Sequence, residues 1–514
     1  MAFLFETPSD DAVRELARSL GIDLTPAENR LIAARVREFV EVADAVDELG
    51  LEEARLPLRH TTRTVARRPT ADEDPHNAFI HVCHVEGDPD GPLQGIKVGL
   101  KDNIALAGSP MTLGWRPMHS YVPDFDATVV TRLLDAGATI VGKLNMEPLS
   151  GIGAGFGGVS DYGRVSNPRD PEWLTGASSS GPASAVAGGQ ADAAIGGDQG
   201  GSIRTPSAWC GVVGLKPTFG LVPHTGAFGS DPTVDHVGPI APSVELVARL
   251  LDAIAGRDGH DPRQARVPEV LPGYVDGFGQ GVEGLRVGVL TEGFPGSDLD
   301  GVVRAAIAGL ESRGASAVDV SVPQHPAGSA GLWAVIVEGT RRLFDTNLGG
   351  AFHDGFYPTS LVSHFGRLRT SHASELPHFL KLILITAAAV DERHHGAVYA
   401  KGQNLRASFR ALYDQALAAV DVLVMPTVTA TAAPYVPPVD FEDALQRNLL
   451  AGDAIDPVSV GLNTNVFNLT GHPAITVPCG ELGGLPVGLQ VVGSHFDEPT
   501  ILRVARAVEE AAGR

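Results

Sequence analysis

Ile96-Lys97-Val98-Gly99-Leu100, Val129-Val130-Thr131-Arg132-Leu133-Leu134 and Ala138-Thr139-Ile140-Val141 follow one another within residues 96–141. They read as strand, helix and strand. The outer runs are short and β-branched, and the middle one spaces its apolar residues at the helical period. A helix between two strands is the connection that parallel pairing needs. The alternation continues outward, with helices over 244–255, 302–310 and 499–512 and strands over 287–290, 317–322, 422–425, 475–478 and 487–492. The fold class is therefore α/β, with a largely parallel central sheet covered by helices on both faces. The stretch 330–420 is helical without a clean period.

Upstream, the pattern is helical. Thr7-Pro8-Ser9 opens a first helix that Gly21 stops. Thr25-Pro26 with Glu28 forms a capping box for a longer helix running to Gly50, with Ile32, Val36, Phe39, Val40 and Ala43 on its apolar face. Residues 57–77 read as a connector. Two domains are expected, a helical one over 1–78 and an α/β one over 79–514.

Composition narrows the function. Among 514 residues, 39 Lys and Arg stand against 61 Asp and Glu, a net charge of −22 with no basic run, which argues against nucleic-acid and anionic-membrane partners. Cys83, Cys210 and Cys479 are too few and too far apart for a disulfide framework or a thiolate metal site. The N-terminus lacks the basic and apolar regions of a signal peptide, and no apolar run spans a bilayer. A cytoplasmic protein is expected.

Two nucleotide-like motifs fail on context. Gly137 to Lys143 has P-loop spacing, but Leu144 stands where the magnesium-binding hydroxyl belongs and the run reads as a strand. Gly153, Gly155 and Gly158 fit G-x-G-x-x-G, yet no helix can follow. A pocket-lining loop is the better reading. His81, Cys83 and His84 read as a strand edge rather than a metal site.

Three features between residues 94 and 218 carry chemistry. The strand 96–100 ends in Lys101, where burial would lower the amine's pKa and free it as a base; the alternative is an ion pair with Asp102. Gly176-Ala177-Ser178-Ser179-Ser180-Gly181 packs three hydroxyls into a turn before an Ala-rich helix. Gly197-Asp198-Gln199-Gly200-Gly201-Ser202-Ile203-Arg204 places glycines before a serine, so that backbone N–H groups can converge on an oxyanion.

Together with Gly142-Lys143-Leu144-Asn145-Met146-Glu147, Cys210-Gly211-Val212-Val213-Gly214-Leu215-Lys216-Pro217-Thr218, Gly471-His472-Pro473-Ala474 and Leu485-Pro486-Val487-Gly488-Leu489-Gln490, these blocks resemble the amidase signature family from about residue 90 to the end. The resemblance implies that family's mixed, largely parallel sheet and its Ser-cisSer-Lys hydrolase chemistry. It matches Ser202 to the nucleophile, Lys101 to the base and Ser178 to the bridging serine after a cis bond. A slide of one residue would make Ser179 the bridge. It also implies an oxyanion hole from the N–H groups of Gln199, Gly200, Gly201 and Ser202, with Ser179, Asp198 and Arg204 in support. Ala177 and Pro182 depart from the family pattern. The loop containing Gly151, Ile152 and Gly153 is expected to line the acyl pocket.

Among family members the chain looks most similar to stand-alone bacterial amidases with a helical N-terminal domain. That implies a homodimer joined through the 1–78 domain, a small-molecule amide and water as substrates, and no cofactor or metal. The amide is expected to be aliphatic or aromatic, with hydrazides and anilides also open. The alternatives are a glutamine-using component of an amidotransferase complex, and an esterase or carbamate hydrolase using the same triad.

Overall fold

The computed structural model describes residues 7–49, 51–150, 158–450 and 460–513. It divides into two compact units, Met1–Arg55 and Leu56–Arg514.

The first unit is a helical hairpin. Helix α1 (Asp10–Ser19) is capped by Ser9, whose side chain accepts the Ala12 N–H. Helix α2 (Pro26–Glu48) starts in the expected capping box, with the Glu28 N–H donating to Thr25 Oγ1 at 3.3 Å and the Thr25 N–H donating to Glu28 Oε2 at 2.8 Å. Arg37 pairs with Asp10 at 2.8 Å, and Val13, Ala17 and Ala33 are buried between the helices. The expected apolar face of α2 is only partly covered, since Ile32 is 41% and Phe39 76% exposed. A two-helix hairpin has only one inner face.

The second unit is built on one 11-stranded sheet. Its first strands are β1 (Phe79–Val85), β2 (Lys97–Lys101) and β3 (Thr139–Leu144), and a separate small ribbon pairs β4 (Val159–Ser160) with β5 (Gly163–Arg164). The middle strands are β6 (Ala193–Asp198), β7 (Val213–Lys216) and β8 (His236–Ala241). The last are β9 (Arg286–Leu290), β10 (Ser316–Val320), β11 (Val422–Pro426), β12 (Ala474–Leu482) and β13 (Leu485–Val492). The order across the sheet is β1-β3-β2-β6-β8-β7-β12-β13-β11-β9-β10. The sheet is mixed. Parallel pairing holds β3, β2 and β6 together on one side and β11, β9 and β10 on the other. From β6 to β11 every pairing is antiparallel. The β12–β13 hairpin explains part of that centre. Its turn is Gly483-Gly484, both at positive φ, the geometry that two-residue hairpins favour.

Helices cover both faces. Along β11, Val422 and Val424 enter a core with α6 (Val244–Ile254) and α7 (Asp298–Glu311). Leu423 and Met425 point into another core with α8 (Gly328–Asp345) and α11 (Ala397–Leu417). This period of two is what a sheet buried on both faces requires. The remaining helices are α3 (Thr128–Asp135), α4 (Ser180–Ala187), α5 (Arg204–Cys210), α9 (Thr359–Ser371), α10 (His378–His394), α12 (Phe441–Leu450), α13 (Leu462–Thr470) and α14 (Glu498–Ala511).

Residues 57–77, expected as a connector, are instead fastened to the second unit. Arg63 holds Asp126, Arg67 exchanges backbone hydrogen bonds with Val82 on the edge strand β1, and the Asp74 carboxylate accepts the N–H groups of Ala78 and Phe79. The compact second unit begins at Leu56 rather than at residue 79.

Candidate active site

Lys101 closes β2 with its side chain inside the protein, fully buried. Its Nζ lies 2.8 Å from Ser178 Oγ and donates to the Gly197 carbonyl at 3.2 Å. Burial pulls its pKa from 10.5 down to about 7, and the carboxylates of Asp198, Glu147 and Asp235 only partly offset that loss. Asp102, the other candidate partner in the sequence, turns away. It pairs with Lys143 of β3 at 3.2 Å, with both side chains wholly buried, and accepts from Thr112.

The serine turn lies between residue 175 and α4. The Ala177–Ser178 peptide is cis. Ser178 and Ser179 then part company. Ser178 meets Lys101, whereas Ser179 Oγ donates to the Gly197 carbonyl at 3.1 Å and accepts the Gly197 N–H at 3.3 Å. Of the two registers open in the sequence, the geometry puts Ser178 beside the lysine and makes Ser179 a tie to β6. The Ser179 N–H donates to the Ser202 carbonyl at 3.2 Å, joining the serine turn to the loop that follows β6.

That loop is organised by Asp198. One carboxylate oxygen accepts the Gly201 N–H at 2.7 Å and the other the Ile203 N–H at 3.1 Å, which curls the chain around half-buried Ser202. Arg204, also fully buried, grips Asp198 with Nε at 3.0 Å and Nη2 at 3.1 Å. Burial opposes ionisation of Asp198, but the Arg204 guanidinium, with Lys216 and the Asn468 amide, outweighs it and holds the carboxyl well below the usual carboxylate range. One expectation changes here. The Gly201 N–H is taken by Asp198, so it does not converge with the others on an oxyanion. Among the described residues, the N–H groups of Gln199, Gly200 and Ser202 are not taken by another group. Gly201 is needed for its backbone instead: at φ 126°, a Cβ there would lie 2.4 Å from Thr464 Oγ1.

Sequence reading missed the far side of this loop. Helix α13 supplies Asn468, which donates to both the carboxylate and the carbonyl of Asp198 at 2.9 Å, and Thr464, whose hydroxyl donates to the Gly200 carbonyl at 2.8 Å. Gln490 of β13 accepts from Arg204 at 2.8 Å. These residues lie more than 250 positions downstream, and of the three only Gln490 belongs to a family-like block. A buried Arg close to Asp198 implies more acceptors than one carboxylate, but it does not say where they come from.

Gly151, Ile152 and Gly153, expected in the acyl pocket, lie outside the described residues. A small apolar cavity is lined by Leu113, Leu149, Phe228, Leu343, Phe344 and Leu380. It is tied to the lysine strand because Asn103, two residues after Lys101, accepts the Phe228 N–H at 3.0 Å and donates to the Phe228 carbonyl.

The chain is similar to known proteins. The amidase family model matches residues 77–502. The enantioselective amidase of Rhodococcus rhodochrous is 40% identical over 501 residues, covering 94% of this chain and 93% of that protein. A glutamyl-tRNA(Gln) amidotransferase subunit from Natronomonas pharaonis is 39% identical over 444 residues, covering 84% of this chain and 99% of that protein. Native peptide amidase from Stenotrophomonas maltophilia has a similar structure, with a TM-score of 0.67 at 32% identity over 82% of this chain and 83% of that one.

Proposed function

The chain belongs to the amidase family, whose enzymes act on amide bonds, and from that premise we propose that it hydrolyses carboxylic amides through an acyl-enzyme on Ser202. The observation that carries this reading is the buried contact of 2.8 Å between Lys101 Nζ and Ser178 Oγ, beside the Ser202 loop. A neutral Lys101 amine keeps one N–H on the Gly197 carbonyl and offers its lone pair to the Ser178 hydroxyl. Ser178 takes the proton of Ser202 as that oxygen attacks the amide carbonyl. The N–H groups of Gln199, Gly200 and Ser202 stabilise the oxyanion. The proton returns through Ser178 to the leaving nitrogen, which amides require because an amide anion is a very poor leaving group. Water then releases the acid. The acyl group is taken to be uncharged, aliphatic or aromatic, supported by the lack of a charged side chain among the described residues that line the small cavity around Phe228 and Phe344.

Ser202→Ala tests the reading. Release of ammonia or amine from a panel of aliphatic, aromatic, hydrazide and anilide substrates should vanish while the circular dichroism spectrum is unchanged, and persistent turnover would refute it. Ser178→Ala should cut amide turnover far more than ester turnover, because activation of Ser202 suffers for both whereas an alkoxide leaves without the relayed proton. The likeness to amidotransferase components supports a second reading, in which the chain releases ammonia from glutamine inside a complex. Turnover of free amides by the isolated chain separates the two.

The same proposal includes a homodimer joined through the first unit, supported by the exposed Ile32, Phe39, Val42, Val46 and Leu49 on and just after α2. It also places the protein in the cytoplasm, supported by three free thiols. Among the described residues, no helix is long and apolar enough to cross a membrane.

A further inference from the structure

The end of α13 opposite the nucleophile loop carries a cluster that amide hydrolysis does not use. Asp414 of α11, His472 after α13 and His495 after β13 each turn one ligand atom inward, and these three atoms lie within 4.8 Å of one another. Thr470 sets the orientation of both rings. Its hydroxyl is 2.9 Å from His472 Nδ1, and its carbonyl accepts from His495 Nε2 at 3.2 Å. A carbonyl oxygen can only accept, so Nε2 carries the proton of neutral His495 and Nδ1 is left as a bare lone pair. That lone pair faces Asp414 Oδ1 at 3.7 Å. His472 Nε2 donates to the same oxygen at 3.1 Å, a proton that a bound metal would displace, with Nδ1 then donating to the Thr470 hydroxyl. The ring centroids are 4.1 Å apart, a separation at which two imidazolium ions would repel.

We propose that Asp414, His472 and His495 form a zinc-binding site that clamps the C-terminal end of α13. Two neutral imidazoles and a carboxylate are donors that zinc favours. The separations of 3.1 and 3.7 Å from Asp414 Oδ1 bracket the ligand-to-ligand edge, about 3.3 Å, of a tetrahedron with bonds of about 2.0–2.1 Å. The outer ring nitrogens are both held by Thr470, as ligating histidines usually are by a neighbouring acceptor. His472 is fully buried while the Asp414 side chain is 53% exposed, so the open side of the cluster leaves room for water as a fourth ligand. Two basic side chains lie close by. Arg410 donates to the Thr470 carbonyl at 3.0 Å and Lys216 to the His472 carbonyl at 2.6 Å, and the Arg410 charge makes this a weaker site than a closed four-ligand one. Occupancy would stiffen the helix whose Thr464 and Asn468 hold the nucleophile loop.

The test uses the full chain, stripped with EDTA and titrated with zinc chloride at pH 7.5. The expected result is one zinc per chain by calorimetry and elemental analysis, with a Tm that rises with zinc concentration as binding to the folded state alone requires. Asp414→Asn and His495→Gln, both at partly exposed positions, should keep the metal-free Tm within a few degrees, weaken zinc binding at least tenfold and abolish the Tm rise. Zinc bound equally by the variants, or not bound by the wild type, would overturn the proposal. Either result leaves the roles of Lys101, Ser178 and Ser202 untouched.

Discussion

Lys101 is where the chemistry and the stability of this protein meet. Its pKa falls from 10.5 to about 7 because burial penalises the ammonium, so the neutral amine that the proposed mechanism uses prevails above neutrality. kcat/KM for a neutral amide should therefore rise about tenfold per pH unit below pH 7 and level off above it, with one ionisation near 7. A flat profile from pH 5 to 9 would exclude Lys101 as the base. The same shift has a thermodynamic sign. Between about pH 7 and 10.5 the unfolded chain binds a proton at this residue that the folded chain has released, so stability rises with pH across that window. Lys101→Met removes this dependence. Urea denaturation should show the wild type gaining stability relative to the variant from pH 7 to pH 9.5, with no further relative change below pH 6. No relative slope over that range would mean that the buried group keeps its charge. Lys101 was legible in sequence because an ammonium group at the end of an apolar strand is costly unless it is used. The Lys143–Asp102 pair was not, because only the fold brings residues 41 apart in sequence to 3.2 Å.

Helix α13 shows what an element contributes beyond its propensity. Its polar face, Thr464 and Asn468, is buried against the nucleophile loop and satisfies groups that Asp198 and Gly200 would otherwise leave unpaired. Asn468→Ala orphans part of Asp198 and Arg204, at a cost of about 1–3 kcal/mol for buried polar groups. Tm should fall by several degrees, and kcat should drop further than KM rises, because in the proposed mechanism the loop shapes the oxyanion donors rather than binding the acyl chain. A loss seen only in KM would move Asn468 to the acyl pocket. The strands legible in sequence were those rich in Val and Ile, such as β9, β11 and β13. Strand β6 was missed because Ala193-Ala194-Ile195-Gly196-Gly197 carries little side-chain volume or alternation. Its small residues let Ser179 and Lys101 reach the Gly197 carbonyl. The same blind spot hid the antiparallel centre of the sheet. Alternating strand and helix reports the parallel flanks, and only the Gly483-Gly484 turn marks a reversal in sequence.

At the scale of the whole molecule, the division at Leu56 separates a catalytic unit from a helical hairpin with an unmatched surface. Every residue of the four hydrophobic cores is numbered 56 or higher, so the second unit holds its own interior. The first unit buries little more than Val13, Ala17 and Ala33 while leaving Phe39 76%, Val42 61% and Leu49 63% exposed. Apolar side chains gathered on one helix usually meet a partner. Deleting residues 1–55 should therefore leave a folded enzyme with kcat/KM within about twofold of the full chain and a single cooperative unfolding transition, yet change its mass by light scattering from dimer to monomer. Phe39→Ser with Val46→Asp in the full chain should give the same monomer without shortening it, since both changes put polar groups where the apolar contact would form. A dimer that survives both changes would place the contact on the catalytic unit. Loss of turnover on deletion, with the fold retained, would mean that the hairpin serves catalysis rather than assembly.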